Sequence, residues 1–276
     1  MSSLVCWAGV DSRGTASIYI ATDSRVSLVK STDGKAPRTK WDCGQKAYAS
    51  PQTTWIFGCV GHGFFAAQII PRVQSYLEAI DAQGLTTEAR VEAACKFAAN
   101  AMVSAPTFGE DEIRIVMATR EADKRFRVFQ MICVPGGATW IELPLPSTSE
   151  IIFIDGSGST FIVKALAKWR ETSAANTTRA IYSALCDALL HQKRDPYSEG
   201  PPQLVGIYRI GSARSFGVIW RGHRYFHGIK VDDPIPTVDW RNELFEVCDP
   251  STLRRTISAQ RHSHEVTRLK RKSRPS

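Results

Sequence analysis

The sequence predicts an α+β protein built as a four-layer αββα sandwich, with helices outside two facing sheets. Three observations predict it. Antiparallel strand pairs open the chain and strands return near its end. Helices come in pairs between strand sets rather than alternating singly with strands. The first two strands are apolar on both faces, as expected of a sheet covered on both sides.

Leu4 to Val10 and Thr15 to Thr22 flank the turn-like tetrad Asp11-Ser12-Arg13-Gly14, which predicts an antiparallel hairpin. Pairing Val10 with Thr15 places Ser2 directly across from Asp23, and opposed residues share a face. A one-residue slip would undo this. Gln45–Ser50 and Trp55–Val60 bracket Pro51-Gln52-Thr53-Thr54, a second hairpin. Residues 64–81 carry Phe65, Ile69 or Ile70, Val73, Leu77 and Ile80 at helical spacing. Pro71 marks a late start or a kink there, because it lacks the donor a helix interior needs. Thr86-Thr87-Glu88 reads as the cap of a helix running to about Val103.

Strands are expected at 113–119, 125–134 and 139–143, with Gly136-Gly137 turning the last pair. Gly156 to Gly158 punctuates the chain before helices at 159–170 and 176–192. Strands follow at 204–210, 215–220 and 225–228. After Val231 the chain turns Pro-rich and acidic, so the domain is expected to span 1–231 and an extension to span 232–276.

The composition is that of a globular protein, 43% hydrophobic and 22% charged over 276 residues. Its net charge of +8 is misleading, because residues 251–276 hold eight Arg or Lys against Glu265 alone. The other residues are near neutral, so the basic character belongs to a tail. Such a tail reads as a flexible, solvated end with weak, salt-sensitive contact to nucleic acid or anionic surfaces. No run of about 18 apolar residues predicts a membrane span, and residues 1–20 lack the regions of a signal peptide. Seven scattered cysteines read as reduced thiols, which with the missing signal places the protein in the cytoplasm. No metal or organic cofactor is expected, since His and Cys lack ligand spacing.

Removal of Met1 would give Ser2 both a hydroxyl and a free α-amine, a nucleophile and its base in one residue. Alone, a serine after methionine means little. Four separated segments change its weight: Ser2-Ser3-Leu4-Val5 with Thr22-Asp23-Ser24-Arg25; Lys46 with Val60-Gly61-His62-Gly63; Ile154-Asp155-Gly156-Ser157-Gly158-Ser159-Thr160; and Lys193-Arg194-Asp195-Pro196-Tyr197-Ser198. Together and in this order, they resemble proteasome β-type subunits and their bacterial relatives, the N-terminal-nucleophile hydrolases.

The resemblance implies a role for each position. Ser2 supplies the attacking Oγ and its amine accepts the proton through water. Lys46 places a positive charge beside both, and Asp23 orients Lys46. The Gly61 N–H forms the oxyanion hole. Ser157, Asp195 and Ser198 form a second cluster that fixes the terminal amine. Singly, each has a plainer reading: Asp23 as a strand end, Lys46 as a solvated charge, Gly61 as a turn glycine, Asp195 as a helix-exit residue. Serine stands where the proteasome has threonine, and Glu199 stands where the family usually has glycine. Ser3 and Cys6 are less economical nucleophiles, and His62 has no required part.

The function expected from the resemblance is cleavage of peptide bonds, with a polypeptide or peptide substrate. A homo-oligomeric ring or related assembly and an ATPase or unfoldase partner are implied in the same way. A catalytically idle structural subunit and a small-molecule amidase are the rival readings.

Overall fold

The structure is a computed structural model, described here for residues 2–27, 40–103, 112–190 and 195–259. The first hairpin joins β1 (Leu4–Asp11) and β2 (Gly14–Thr22). Short strands β3 (Val26–Ser27) and β4 (Lys40–Trp41) form a ribbon of their own. The second hairpin is β5 (Ala47–Ala49) and β6 (Ile56–Val60). Helices α1 (Gly63–Ile80) and α2 (Thr87–Val103) follow, then β7 (Ile113–Arg120), β8 (Phe126–Val134), β9 (Gly137–Leu143) and β10 (Ile151–Asp155). Helices α3 (Ser159–Arg170) and α4 (Thr178–Leu190) lead to β11 (Gln203–Tyr208), β12 (Arg214–Trp220), β13 (His223–Phe226) and β14 (Ile229–Val231). The described chain ends with β15 (Trp240–Arg241), β16 (Val247–Asp249) and β17 (Arg254–Arg255).

Helix α1 runs unbroken through Pro71. Its buried face is the expected one: Ile69, Ile70, Val73, Leu77 and Ile80. The Thr86 hydroxyl accepts the Ala89 N–H at 3.2 Å, which caps α2 as its sequence indicates.

Two sheets carry the fold. A five-stranded sheet runs β5-β6-β7-β8-β9, and a ten-stranded sheet runs β10-β1-β2-β11-β12-β15-β16-β17, with β13 and β14 attached to β12. Between the sheets lie Leu4, Cys6, Ile18 and Ile20 against Ile56, Val60, Val116 and Val128. The opposite face of β1 and β2 packs Val5, Trp7 and Tyr19 against Ile162, Tyr182 and Leu185 of α3 and α4. On the five-stranded sheet, Phe57, Met117 and Phe129 meet Ile70, Leu77 and Val91 of α1 and α2. Strands buried on both faces explain the near-continuous apolar run of β1.

The expected four-layer αββα sandwich is corrected. The chain is a mixed α/β protein dominated by large antiparallel sheets, with only four α-helices among the described residues. The ten-stranded sheet continues past its helix-backed part into β15, β16 and β17. There Ile219, Trp240 and Cys248 form a core of their own, to which no helix among the described residues contributes. Strands of two to four residues hold too few side chains to show a period, so a segment that pairs as strands reads in the sequence as a loose extension. The chain after Val231 rejoins the larger sheet, β15 running parallel to β12. Residues 260–276, most of the basic tail, lie outside the described residues.

The register of the first hairpin also needs correction. Val10 pairs with Thr15 as expected, but Gly9 pairs with Ser17 and Leu4 with Thr22. A bulge at Ala16 shifts everything beyond it by one residue. The Asp23 N–H therefore donates to the Ser3 carbonyl at 3.1 Å, and Asp23 lies across from Ser3 rather than Ser2. Among the described residues, no helix is long and apolar enough to cross a membrane.

Candidate functional site

The site forms where β1 begins, β2 ends and the approach to β5 crosses between the two sheets. Lys46 Nζ donates to Ser2 Oγ at 2.9 Å and to Asp23 Oδ1 at 2.8 Å. The shifted register does not separate these groups, because the lysine bridges the offset. Asp23 is fully buried, and its carboxylate also accepts the N–H groups of Ser3 (3.0 Å), Arg25 (3.1 Å) and Glu199 (3.3 Å). A buried carboxylate is tolerated only when paired and hydrogen-bonded in this way. Ser2 and Lys46 are themselves only 2% and 4% exposed.

The loop between β10 and α3 clamps the first residues. The Gly158 N–H donates to the Ser2 carbonyl at 3.1 Å. Gly156 adopts φ +94°, and a Cβ there would collide with the same carbonyl. A Cβ at Gly158 would collide with Ser3 Oγ. Glycine is needed at 156 because backbone fills the space a side chain would take; at 158 the obstacle is the Ser3 side chain.

Ser157 Oγ donates to Asp195 Oδ2 at 2.7 Å, and the Tyr197 N–H donates to Asp195 Oδ1 at 3.0 Å. Ser198 Oγ donates to Ser3 Oγ at 2.5 Å. Of the seven residues singled out by sequence, Ser2, Asp23 and Lys46 thus form one bonded line. Ser157 and Asp195 form a second pair, and Ser198 joins the first group through Ser3. Gly61 follows β6 at φ +114°, where a Cβ would strike the Glu112 carbonyl, so close backbone packing by itself requires glycine there. Lys193 and Arg194 of the fourth motif lie outside the described residues.

The competing residues have other work. Ser3 is a connector between Ser198 and Asp23. Cys6 is fully buried in β1, and burial drives its thiol far above the ordinary range. Cys59, beside the Lys46 carbonyl, is pushed up to about 12 by burial and stays a neutral thiol. His62 is the N-cap residue of α1, with its carbonyl accepting the Ala66 N–H at 3.0 Å.

Three features were invisible in the motifs. Glu199, at the family's glycine position, pairs with Arg25, whose guanidinium also holds Asp42 through Nε (2.6 Å) and Nη2 (2.8 Å). Replacing Glu199 by glycine is expected to cost about 1–2 kcal/mol, because a hydrogen bond to a largely buried charge is lost while Asp42 remains. Urea unfolding of the variant measures it, and an unchanged midpoint would remove Glu199 from the network.

His227, at φ +49° between β13 and β14, accepts the Gln45 amide at Nδ1, 3.2 Å away. Burial holds its imidazole below the ordinary value of 6.5. The unfolded chain therefore takes up this proton at higher pH than the folded one. Stability from this group is present above about pH 6.5 and is lost as pH falls below it. His227→Asn, which suits the left-handed backbone, should reduce the drop in urea midpoint between about pH 7.5 and about pH 5.5.

The third is Gln203, the first residue of β11, a buried amide amid apolar neighbours whose signal was a polar residue opening a core strand. Among the described residues, no group of three His, Cys, Asp or Glu side chains could hold a metal ion. Neither a family model nor a curated protein matches the chain.

Proposed function

We propose that the chain is an N-terminal serine hydrolase of the proteasome β-type kind, cleaving peptide bonds. One observation carries this reading: a buried ammonium, Lys46 Nζ, held by Asp23 and donating to Ser2 Oγ at 2.9 Å. Lys46 is the donor in this contact, which casts it as a source of positive charge. The base is then the Ser2 α-amine freed by loss of Met1. Such an amine ordinarily titrates at about 7.7–8.0, so a minority of it is free base near neutral pH and able to accept a proton.

In the reaction, Ser2 Oγ bonds to the substrate carbonyl carbon while its proton passes through water to the α-amine. The charge developing near Oγ is stabilised by Lys46. Collapse of the tetrahedral species breaks the C–N bond, and the α-ammonium returns the proton to the leaving amine. Water then attacks the Ser2 ester by the same route, releasing the acid and restoring the hydroxyl. Ring-like self-assembly, an unfoldase partner and a cytoplasmic setting follow from the resemblance and belong to the same proposal.

Ser2→Ala in a protein that has lost Met1 is expected to abolish hydrolysis of small peptide amides and esters. Retained turnover in a correctly started variant would overturn the proposal. The near-complete burial of Ser2 favours one rival, a catalytically idle subunit. The wild-type protein decides between them, since an idle subunit hydrolyses neither substrate.

A further inference from the structure

We propose that Gln203 is the positioning residue for Lys46, holding the charged side chain in line with Ser2 and Asp23. The placement of the lysine stands independently; only the kinetic consequence rests on the hydrolase reading. The Gln203 amide is 2% exposed and uses both ends. Oε1 accepts the N–H groups of Lys46 (3.0 Å) and Ala47 (3.3 Å). Nε2 donates to the Gly44 carbonyl at 2.6 Å and to Ser24 Oγ at 3.0 Å. Two donors and two acceptor sites are the full capacity of a glutamine amide, so its orientation is fixed.

The partners explain the role. Gln203 pairs with Thr22 through the backbone, immediately before Asp23. Its side chain then grips Ser24, just past the end of β2, and Gly44, Lys46 and Ala47 on the approach to β5. A single side chain thus fixes the backbone on both sides of the Asp23–Lys46 ion pair. Ser24 Oγ passes the tie on to the Pro201 carbonyl at 2.5 Å. Gly228, at φ +82°, closes over the amide: a Cβ there would lie 3.0 Å from Gln203 Nε2 and 2.5 Å from Ser24 Oγ. The turn between β13 and β14 therefore packs directly on this anchor.

Lys46 has a long, flexible side chain, and its reach to two partners depends on where its backbone stands. A displacement of about 1 Å at a reacting group costs roughly a hundredfold in rate. Gln203→Leu removes all four bonds. Gln203→Glu keeps the shape and the acceptor. When neutral, that carboxyl still donates to the Gly44 carbonyl; when ionised, it faces the carbonyl with no proton to give.

The test follows Lys46 by its rate of reductive methylation, read by mass spectrometry, with exposed Lys164 and Lys168 as internal references. Methylation of Lys46 should rise about tenfold in both variants as the segment opens locally, with the references unchanged. Acylation of Ser2 by a serine-reactive probe should fall about a hundredfold in Gln203→Leu. The ratio of Gln203→Glu to wild-type acylation should climb as pH falls, a response that a purely structural loss would not give.

Unchanged Lys46 reactivity in folded Gln203→Glu overturns the inference. So does acylation equal to wild type in Gln203→Leu. If wild-type Ser2 is never acylated while Lys46 reactivity still rises in the variants, the hydrolase reading falls and the positioning of Lys46 by Gln203 is upheld.

Discussion

Replacing Lys46 by methionine is expected to slow acylation of Ser2 by a hundredfold to a thousandfold, roughly the effect of deleting one preorganised donor at a developing charge. The same substitution should destabilise the fold by about 3–5 kcal/mol. Asp23 is fully buried, and Lys46 is the cation bonded to its carboxylate. Three backbone donors would remain on it, but no counter-charge from Lys46. A second substitution separates the two effects. Lys46→Met combined with Asp23→Asn removes the stranded charge and should recover part of the stability while leaving acylation slow. Urea unfolding and probe kinetics on the two variants measure this. If the double variant regained the lost rate, Lys46 would be serving only to neutralise Asp23.

Gly156→Ala should be nearly as damaging, for a reason unrelated to charge. The residue holds φ +94°, and its missing side chain leaves room for the Ser2 carbonyl. Alanine brings backbone strain of about 1–3 kcal/mol, with an overpacking cost of similar size. Relief would require the loop to retreat from the first residues, carrying the Gly158 N–H away from the Ser2 carbonyl. We expect a loss of about 2–6 kcal/mol together with strongly reduced acylation of Ser2. Gly136 is the control. It also has a positive φ, but a Cβ there meets nothing within 4 Å, so Gly136→Ala should show the backbone strain alone. Equal losses in the two variants would mean that the close approach to Ser2 contributes nothing.

The contrast between Lys46 and Gln203 shows how much of this site was legible in the sequence. Ser2, Asp23 and Lys46 came from a resemblance among short separated motifs, and their side chains do meet. The turn argument for Asp23 selected the carboxylate that Lys46 binds, but in a register that the bulge corrects. The bulge at Ala16 has no signature in a run as plain as Thr15-Ala16-Ser17. Asp23 then reaches Ser2 only through the lysine. Gln203 was missed because no motif contains it, although an amide at the head of Leu204-Val205 needs partners once it is buried.

The secondary elements were read best where they were long. Strands β7 and β8 and helices α2, α3 and α4 carry enough residues for a period to emerge. The architecture was misread because β14 to β17 are too short for that, and the pairing of β15 with β12 depends on contacts distant in sequence. Trp240, which seats a ring over Gly217, is a case in point. The mutual fit of two residues this far apart cannot be seen by periodicity.

The central claim is that Ser2 Oγ, beside the Lys46 ammonium, is a nucleophile once Met1 is gone. The most direct measurement takes protein whose intact mass shows loss of Met1, treats it with an acylating serine probe, and maps the adduct by peptide mass spectrometry. A single adduct on Ser2, much slower to form when Lys46 is methionine, is the predicted result. An unmodified Ser2 in that correctly started protein, or an adduct on another residue alone, would contradict the account.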